Sequence, residues 1–290
     1  MISQIHILGS SGFIGRHIYK GLVKSFSIEI NGYSSDKCNL LDYSSIEMAL
    51  NEIDEKSVIV LASAITRLRD NSFVSLQKNI QMIINLCRFI EQHPVRQVIF
   101  FSTIDVYGLT DDDVIISEKL LPMPNDNYAI SKVSSEYILR KEAQRGKFAL
   151  TVFRLSGVYG DGDEGKSTIN ALISSALSLG KITIFGDGSN LRDFVYIDDV
   201  VELTVSAIQK DINATVNLAT GRSLSISKIS RLIVKEIGCP CSIEFRQAVV
   251  TKEKRVKHLG FDVSLLHELF PNTDFTDLQQ GIKYYLSSLV

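Results

Sequence analysis

The sequence predicts an α/β protein with a doubly wound parallel sheet, followed by a smaller α/β lobe toward the C-terminus. Three observations support this prediction: short apolar runs, helical patterns that alternate with them, and a glycine-rich turn after the first run. Runs that are apolar throughout, rather than alternating, are typical of strands buried on both faces of a parallel sheet. Regular alternation of such strands with helices is the order of a doubly wound sheet.

The first half of the chain contains the clearest elements. The predicted strands are Ile5–Leu8, Ser27–Asn31, Ser57–Ala62, Gln97–Ser102 and Leu150–Leu155. The predicted helices, in which apolar residues recur near a period of about 3.6, are Gly15–Phe26, Ser44–Glu52, Phe73–Gln92 and Tyr128–Arg145. We therefore expect a first domain over residues 1–160.

The second half has shorter elements. Helical patterns cover Ser167–Ser178, Ile197–Gln209, Ile226–Ile237 and Leu278–Leu289, and strand patterns cover Ile182–Phe185 and Thr215–Leu218. We expect a second, smaller domain over residues 161–290, with a segment at about 190–220 that returns to the first domain.

Composition excludes several classes of protein. The 290 residues are 45% hydrophobic, which is enough for a sizeable core, and the net charge is -2 with no run of basic residues. This balance argues against a nucleic-acid partner or an acidic membrane surface. The four cysteines do not have a zinc spacing, and no apolar stretch is long enough for a bilayer, so we expect reduced thiols, no metal and a cytoplasmic location.

The glycine turn predicts an anion site. Gly9, Gly12 and Gly15 lie three residues apart, between the first strand and the first helix. A glycine turn at that point leaves backbone N–H groups directed outward at the positive end of the helix dipole. In dinucleotide-binding sites such glycines make the tight turn, admit the pyrophosphate and allow close packing of the helix. By itself a glycine trio also fits an ordinary strand-to-helix turn.

A tyrosine and a lysine are the candidate proton-transfer residues. Tyr128 and Lys132 are four residues apart at the start of a helix and therefore lie on one face. A phenol with an unperturbed pKa of about 10 is a poor acid or base at neutral pH, but a nearby ammonium favours its ionised form. The pair follows the fourth strand, which ends with the hydroxyls of Ser102 and Thr103 at the edge where open α/β sheets hold ligands.

Several motifs together resemble the extended short-chain dehydrogenase/reductase family, in particular its nucleotide-sugar-modifying members. The motifs, in chain order, are GSSGFIG at 9–15, STIDVYG at 102–108, YAISK at 128–132, RLSGVYG at 154–160, GDG at 186–188, RDFVYIDDV at 192–200 and NLA at 217–219. The resemblance covers nearly the whole chain, and it implies a Rossmann-like first domain and a substrate-binding second lobe.

The resemblance implies roles for individual residues. Thr103 corresponds to the family's catalytic Ser/Thr, Tyr128 to its general acid/base, and Lys132 to the residue that tunes the tyrosine and holds the nicotinamide ribose. Asn79 corresponds to a residue that supports the active-site backbone. The residues implied in cofactor binding are Gly9, Ser10, Ser11, Gly12, Phe13, Ile14, Gly15, Ser34, Ser35, Asp42, Leu61, Ala62, Ser63, Ser102, Tyr128 and Lys132. Those implied in substrate binding are Asp105, Ser156 and Arg192, the last of which would bind the diphosphate.

The region after the second strand bears on the choice of cofactor. NAD-preferring members of the family usually end this strand with an acidic residue, whereas this chain has Asn31, Gly32, Tyr33, Ser34 and Ser35 there. Hydroxyls and the nearby Lys37 tolerate a 2′-phosphate that a carboxylate would repel, which favours NADP. NAD stays possible, because no arginine follows the strand and Asp36 is within reach of a ribose.

The residues after Thr103 bear on the reaction. Dehydratases of the family have an Asp-Glu pair there, but this chain has Ile104 and Asp105, and isoleucine transfers no proton. Gly157 stands where many epimerases have Asn. We therefore favour an NADP-dependent reductase of a 4-keto-(6-deoxy) sugar nucleotide, with an NAD-dependent 4-epimerase as the alternative, a 4,6-dehydratase as a weaker one, and a non-catalytic cofactor sensor on the same fold as the last.

The resemblance also leads to expectations about partners. The substrate is expected to be a nucleotide sugar, selected by the loops Asp161–Ser167 and Thr251–His258. A homodimer is expected by analogy with relatives, joined through the helices Phe73–Gln92 and Tyr128–Arg145.

Overall fold

The structure is a computed structural model, and it describes residues 1–108, 114–163, 167–238, 240–247 and 260–289. The expected specificity loops fall partly outside this range, since 164–166 and 251–258 are not among the described residues. In the described parts no helix is long and apolar enough to cross a bilayer.

Helices and strands alternate in the first part of the chain, as the sequence predicts, and short strands follow one another in the second part. The strands are β1 Gln4–Leu8, β2 Glu29–Tyr33, β3 Val58–Leu61, β4 Gln97–Thr103, β5 Ile115–Ile116, β6 Ala149–Leu155, β7 Gly157–Tyr159, β8 Lys181–Phe185, β9 Leu191–Arg192, β10 Phe194–Tyr196, β11 Ala214–Leu218, β12 Leu224–Ser225, β13 Ser242–Arg246 and β14 Gly260–Phe261. The helices are α1 Phe13–Ser25, α2 Tyr43–Ala49, α3 Phe73–Gln92, α4 Asn127–Gly146, α5 Thr168–Leu179, α6 Ile197–Gln209, α7 Ile226–Ile237, α8 Ser264–Leu269 and α9 Leu278–Ser288, and a short 3₁₀ turn covers Ile104–Tyr107.

The chain divides into two compact units. The first contains residues 1–108, 121–155 and 200–216, and the second contains the described parts of 109–120, 156–199 and 217–290. Residues 200–216 lie within the segment that the sequence analysis expects to return to the first domain.

A parallel sheet forms the centre of the first unit. Among the described residues it has six strands in the order β11-β6-β4-β3-β1-β2, and the pairs β1–β2, β1–β3, β3–β4 and β4–β6 are parallel. Because β1 has β2 on one side and β3 on the other, the chain order reverses at β1, which is the switch point where such sheets bind ligands. The prediction of a Rossmann-like α/β fold is confirmed.

Helices α2, α3 and α4 cover one face of this sheet with a continuous apolar core. Strand residues of this core include Leu61, Phe100 and Val152, and helix residues include Phe89 and Leu139, all of them buried. α3 begins where the sequence predicts because the hydroxyl of Ser72 accepts a hydrogen bond from the Ser75 N–H. The Asp126 carboxylate caps α4 in the same way by accepting from the Ala129 N–H.

Strand β2 differs from its prediction. Ser27–Asn31 was expected, and the strand observed is Glu29–Tyr33, two residues later. The bounds of β2 are set by pairing with β1 rather than by the apolar pattern of β2 itself. Glu29 lies opposite Gln4 and Tyr33 lies opposite Leu8, so β2 extends to the end of β1.

The second unit contains short paired strands and three longer helices. In it β8 pairs with β13 and β7 with β10, both parallel. α9 packs closely against β7, since a Cβ at Gly281 would lie 2.0 Å from the Tyr159 hydroxyl oxygen. Strands of two or three residues, such as β7 and β9, carry too little periodicity to be predicted from sequence.

Candidate active site

The glycine turn brings α1 close to the end of β1. Gly9 has φ +92°, a backbone conformation that favours glycine, and its carbonyl accepts from the Gly12 N–H at 3.1 Å. A Cβ at Gly15 would lie 2.0 Å from the Gly9 carbonyl oxygen. Gly12 caps α1 without a side-chain hydrogen bond, and Phe13 and Ile14 form its first turn. The turn therefore places the N-terminus of α1, whose first backbone N–H groups have no acceptor within the helix, at the end of β1, as an anion site requires.

A large cavity lies beside this turn, within the first unit. Its volume is about 700 Å³, within the usual range for cofactor sites. Of the residues expected to bind the cofactor, the lining contains Gly9, Ser11, Gly12, Ser35, Ala62 and Ser63. The same lining contains three charged residues that the sequence did not single out, Arg69, Asp70 and Lys78. The cavity and the cradle at Gly9 and Gly15 fit a dinucleotide.

Other predicted cofactor residues are not part of the cavity lining, among them Ser10, Ser34, Asp42 and Leu61. The Ser10 N–H donates to the Tyr33 carbonyl at 3.0 Å, and the Ser34 carbonyl accepts from the Lys37 and Cys38 N–H groups. Leu61 is buried at the end of β3. Asp42, expected at the adenine ring, caps α2 by accepting from the Ser44 N–H at 3.1 Å. A Cβ at Gly32, near the end of β2, would lie 3.0 Å from the Ser10 side chain.

Tyr128 and Lys132 lie on the first two turns of α4. The Lys132 ammonium is buried, donates to the Phe101 carbonyl at 2.7 Å and lies 5.8 Å from the centre of the Tyr128 ring. Burial lowers the pKa of Lys132 to about 8, against the opposing charge of Glu136. Burial also raises the pKa of Tyr128; Asp105 and Asp126 raise it further, and Arg67 lowers it. The raised pKa keeps the phenol neutral, as a proton donor must be.

Thr103 ends β4 beside these groups. It is buried, and its hydroxyl accepts from the Asp105 N–H at 3.2 Å, which begins the 3₁₀ turn. Asp105 is one of the charges that acts on Tyr128. The structure thus brings Thr103, Asp105, Tyr128 and Lys132 together at the carboxyl end of β4.

The loop between β3 and α3 fixes the start of α4. The Asn71 side chain accepts from the Tyr128 backbone N–H at 2.9 Å. Asn79, expected to support the active-site backbone, accepts from the Ile65 N–H at 2.8 Å and donates to the Ser131 hydroxyl at 3.2 Å. Two asparagines therefore tie this loop to the helix that carries Tyr128.

A buried ion pair also holds α4, the helix that carries Tyr128, against the sheet. The Arg154 guanidinium contacts Glu136 at 2.6 Å, with side-chain exposures of 5% and 1%, and donates to the Tyr107 hydroxyl at 2.8 Å. The Ser102 hydroxyl donates to Glu136 at 2.5 Å. Ser102, expected near the cofactor, is thus a member of a buried polar network that joins β4, α4 and β6.

Arg67 is a site residue that the sequence did not reveal. It lies in the loop after β3, and its Nη1 is 3.0 Å from Asp105 Oδ2 and 3.3 Å from Asp126 Oδ2. The position of Arg67 directly after a central strand, at the edge of the sheet where ligands bind, could have indicated a role in the site.

The second unit has its own, smaller cavity of about 320 Å³. Arg192 lines it together with two cations that the sequence did not identify, Arg222 and Lys228. Next to it, the Asp193 carboxylate accepts from the Ser156 hydroxyl at 3.2 Å and from the Thr220 hydroxyl at 2.8 Å. Ser156, expected at the substrate, is thus hydrogen-bonded to a buried carboxylate. The arrangement suits a small anionic group.

The fold and the first unit's site define a nicotinamide-dependent enzyme of the extended short-chain dehydrogenase/reductase type. Residues 5–219 match the model of the NAD-dependent epimerase/dehydratase family. The chain belongs to this family, and the resemblance found in the sequence, the expectation of an enzyme and the use of NAD or NADP are confirmed.

Individual relatives cover the whole chain at low identity. The chain is 26% identical over 320 residues to the uncharacterised UDP-glucose epimerase YtcB of Bacillus subtilis, covering 99% of this chain and 98% of the relative. It is 26% identical over 281 residues to the GDP-6-deoxy-D-talose 4-dehydrogenase of Aggregatibacter actinomycetemcomitans, covering 95% and 94%. Among solved structures it resembles a UDP-glucose 4-epimerase of Thermotoga maritima with UDP-glucose, with a TM-score of 0.86 at 22% identity and coverage of 99% and 98%.

Proposed function

We propose that this chain is an NADP-dependent reductase of a 4-keto-(6-deoxy) sugar nucleotide. NADPH, held by the glycine turn and the cavity beside it, would supply the hydride for the ketone carbon, and the Tyr128 phenol donates a proton to the ketone oxygen. The observation that carries the proposal is the grouping of Tyr128, the buried Lys132 and Thr103 in the unit that also contains the cofactor cavity.

Each residue has a defined task in this reaction. Thr103 orients the substrate oxygen by a hydrogen bond, and Tyr128, a neutral donor because its pKa is raised, transfers its proton to that oxygen. Lys132 stabilises the phenolate left behind. Its pKa of about 8 keeps enough positive charge near neutral pH for that role.

The end of β2 supports NADP over NAD. After the strand come Ser34 and Ser35, and Ser35 lines the cavity, so hydroxyls stand where an acidic residue would repel a 2′-phosphate. The charged residues of the cavity lining are Arg69, Asp70 and Lys78, which leave a net positive charge for the extra phosphate.

The second unit's cavity supports a nucleotide diphosphate as the anchor of the substrate. Arg192, Arg222 and Lys228 supply three positive charges around a small cavity, against the one negative charge of Asp277. A planar guanidinium pairs with phosphate oxygens through two parallel hydrogen bonds, which a lysine cannot imitate.

The residues around Thr103 oppose a dehydratase. Water elimination needs an acid and a base, but Ile104 can be neither, and Asp105 is engaged by the Arg67 guanidinium at 3.0 Å. We therefore assign only hydride and proton transfer to this site.

A 4-epimerase is the second candidate, because YtcB, which aligns with 99% of this chain, is described as an uncharacterised UDP-glucose epimerase. One feature of the second unit opposes it. A Cβ at Gly157, where many epimerases have Asn, would lie 2.5 Å from the Phe194 ring, so the ring occupies the space of that side chain.

Cofactor stoichiometry separates the two candidates. A reductase consumes added NADPH in proportion to a 4-keto-6-deoxy sugar nucleotide, such as the GDP- or dTDP-linked compound. An epimerase carries tightly bound NAD from purification and interconverts 4-epimers without net consumption. Epimer formation by the protein with no added NADPH would overturn the reductase proposal.

Tyr128→Phe tests the proton donor in either case. We expect a loss of turnover of about a hundredfold or more, since general acid catalysis contributes about 10²–10⁴, with unchanged NADPH binding. Tyr137→Phe, an exposed tyrosine on the same helix, is the matched control. Full turnover by Tyr128→Phe would disprove the assignment.

A further inference from the structure

Arg67 is a charged residue of the first unit to which the reaction above gives no task. Its Nη1 lies between two carboxylates from different elements, Asp105 of the 3₁₀ turn after β4 and Asp126 at the N-terminus of α4. The side-chain exposures are 48% for Arg67, 32% for Asp105 and 19% for Asp126. An isolated surface pair contributes little, but this guanidinium joins two elements that both belong to the proton-transfer site.

The charges around Tyr128 explain what such a bridge does. Asp105 and Asp126 both raise the pKa of the phenol, and Arg67 lowers it. The Lys132 ammonium is a second cation near the ring; it lies 5.8 Å from the ring centre and donates to the Phe101 carbonyl. Without Arg67, two carboxylates would face the phenol against one cation.

The backbone around Arg67 is held in place, so its charge has a fixed position. Asn79 accepts from the N–H of Ile65 and donates to its carbonyl, two residues before Arg67. Four residues after Arg67, the Asn71 side chain accepts from the Tyr128 N–H, and its carbonyl accepts from the Asn127 side chain. Asp126 is held as well, because its Oδ1 caps α4 while its Oδ2 faces Arg67.

We propose that Arg67 is a positioning residue of the proton-transfer site: its guanidinium holds Asp105 and Asp126 in place and compensates their charge, so that less negative charge opposes the loss of the phenol proton. The inference rests on the proposed role of Tyr128. Arg67, in the loop after β3, thereby supplies a second positive charge to the site in addition to that of Lys132 on α4.

The test measures the titration of Tyr128 itself and needs no sugar substrate. Protein labelled with ¹³Cζ-tyrosine and saturated with NADP⁺ is titrated by NMR, and the Tyr128 resonance is assigned by its loss in Tyr128→Phe. We expect Arg67→Met to raise the midpoint by about one pH unit or more, since an opposite charge at close range shifts a pKa by about 1–3 units. Asp105→Asn removes a negative charge and is expected to lower the midpoint.

Two further variants separate charge from structure. Arg67→Lys keeps the charge and is expected to stay within about half a unit of the parent protein. Arg145→Met removes an exposed arginine at the far end of α4, where it pairs with Glu91, and is expected to leave the midpoint unchanged. If Arg67→Met does not fold, Asp105→Asn still tests the proposal with the opposite sign.

The failures of the two proposals can be distinguished. If Arg67→Met and Asp105→Asn both titrate like Arg145→Met while Tyr128→Phe is inactive, Arg67 is only a surface ion pair and the inference is overturned. If Tyr128→Phe retains full turnover, the proposed function fails whatever the midpoints are. In a working reductase we also expect Arg67→Met to shift the pH profile of kcat upward and leave the KM for NADPH unchanged.

Discussion

Gly15 gives the sharpest test of the cofactor site. A Cβ there would lie 2.0 Å from the Gly9 carbonyl oxygen, 2.8 Å from the Gly9 carbonyl carbon and 3.0 Å from the Ser10 Cα. Real Cβ contacts are essentially never shorter than 3.0 Å, so Gly15→Ala must move the turn or α1 by about 1 Å. All three contacts are backbone atoms, which cannot move aside as a flexible side chain can.

We expect Gly15→Ala to weaken cofactor binding more than it destabilises the fold. Overpacking costs about 1–3 kcal/mol, and alanine recovers about 1 kcal/mol of helix propensity, so we expect a net loss of stability of up to about 2 kcal/mol. A displaced turn no longer directs its N–H groups at the pyrophosphate. We expect NADPH binding to weaken by about tenfold or more, which corresponds to about 1.4 kcal/mol per tenfold.

The assay uses dihydronicotinamide fluorescence for the Kd, which the lack of tryptophan simplifies, and urea unfolding for stability. Gly260→Ala is the control, because a Cβ at Gly260 meets no atom within 4 Å. Wild-type affinity and stability in Gly15→Ala would refute both the close packing of α1 and the role of the turn.

Two other predictions concern stability. Burial lowers the pKa of His6 to about 4, so between pH about 6.5 and 4 the unfolded chain takes up a proton that the folded chain does not. The free energy of unfolding therefore decreases as the pH is lowered through this range, by up to about 1.4 kcal/mol per pH unit. His6→Phe is expected to flatten this part of the pH dependence of Tm, and equal slopes in the two proteins would contradict the prediction. Glu136→Gln leaves the buried Arg154 without its counter-charge and is expected to lower the free energy of unfolding, measured in urea, by about 3–5 kcal/mol. The double variant Glu136→Gln/Arg154→Met is expected to recover part of this loss. If Glu136→Gln were as stable as the parent protein, the ion pair would not be needed for stability.

Residues within motifs and long periodic segments were predictable from the sequence. α3 matches its predicted range Phe73–Gln92 because a hydroxyl cap and a long apolar period mark it. The positions of Tyr128 and Lys132 on one helical face follow from their spacing of four. These features depend on local chemistry, which a single sequence contains.

Features that depend on the path of a loop or on distant pairing were not predictable. The end of β2 is fixed by pairing with β1 rather than by its own pattern. Arg67 meets Asp126 across 59 residues of sequence, and nothing periodic marks the loop that carries it. The Glu136–Arg154 pair likewise joins a helix to a neighbouring strand. Such partners become visible only when the backbone is in place.

The first unit is built from three separate segments of the chain, which matters for transferring its cofactor site into another protein. Its sheet and helices are completed by a late stretch of chain, since the Gln97 side chain donates to the carbonyls of Ala207 and Ile212, and the Thr151 hydroxyl also donates to Ile212. A fragment cut after β6 would expose these buried polar groups and the surface of α1 at Gly21, which packs on Val201. A portable module must therefore be spliced from three separate stretches of the gene rather than taken as its first half.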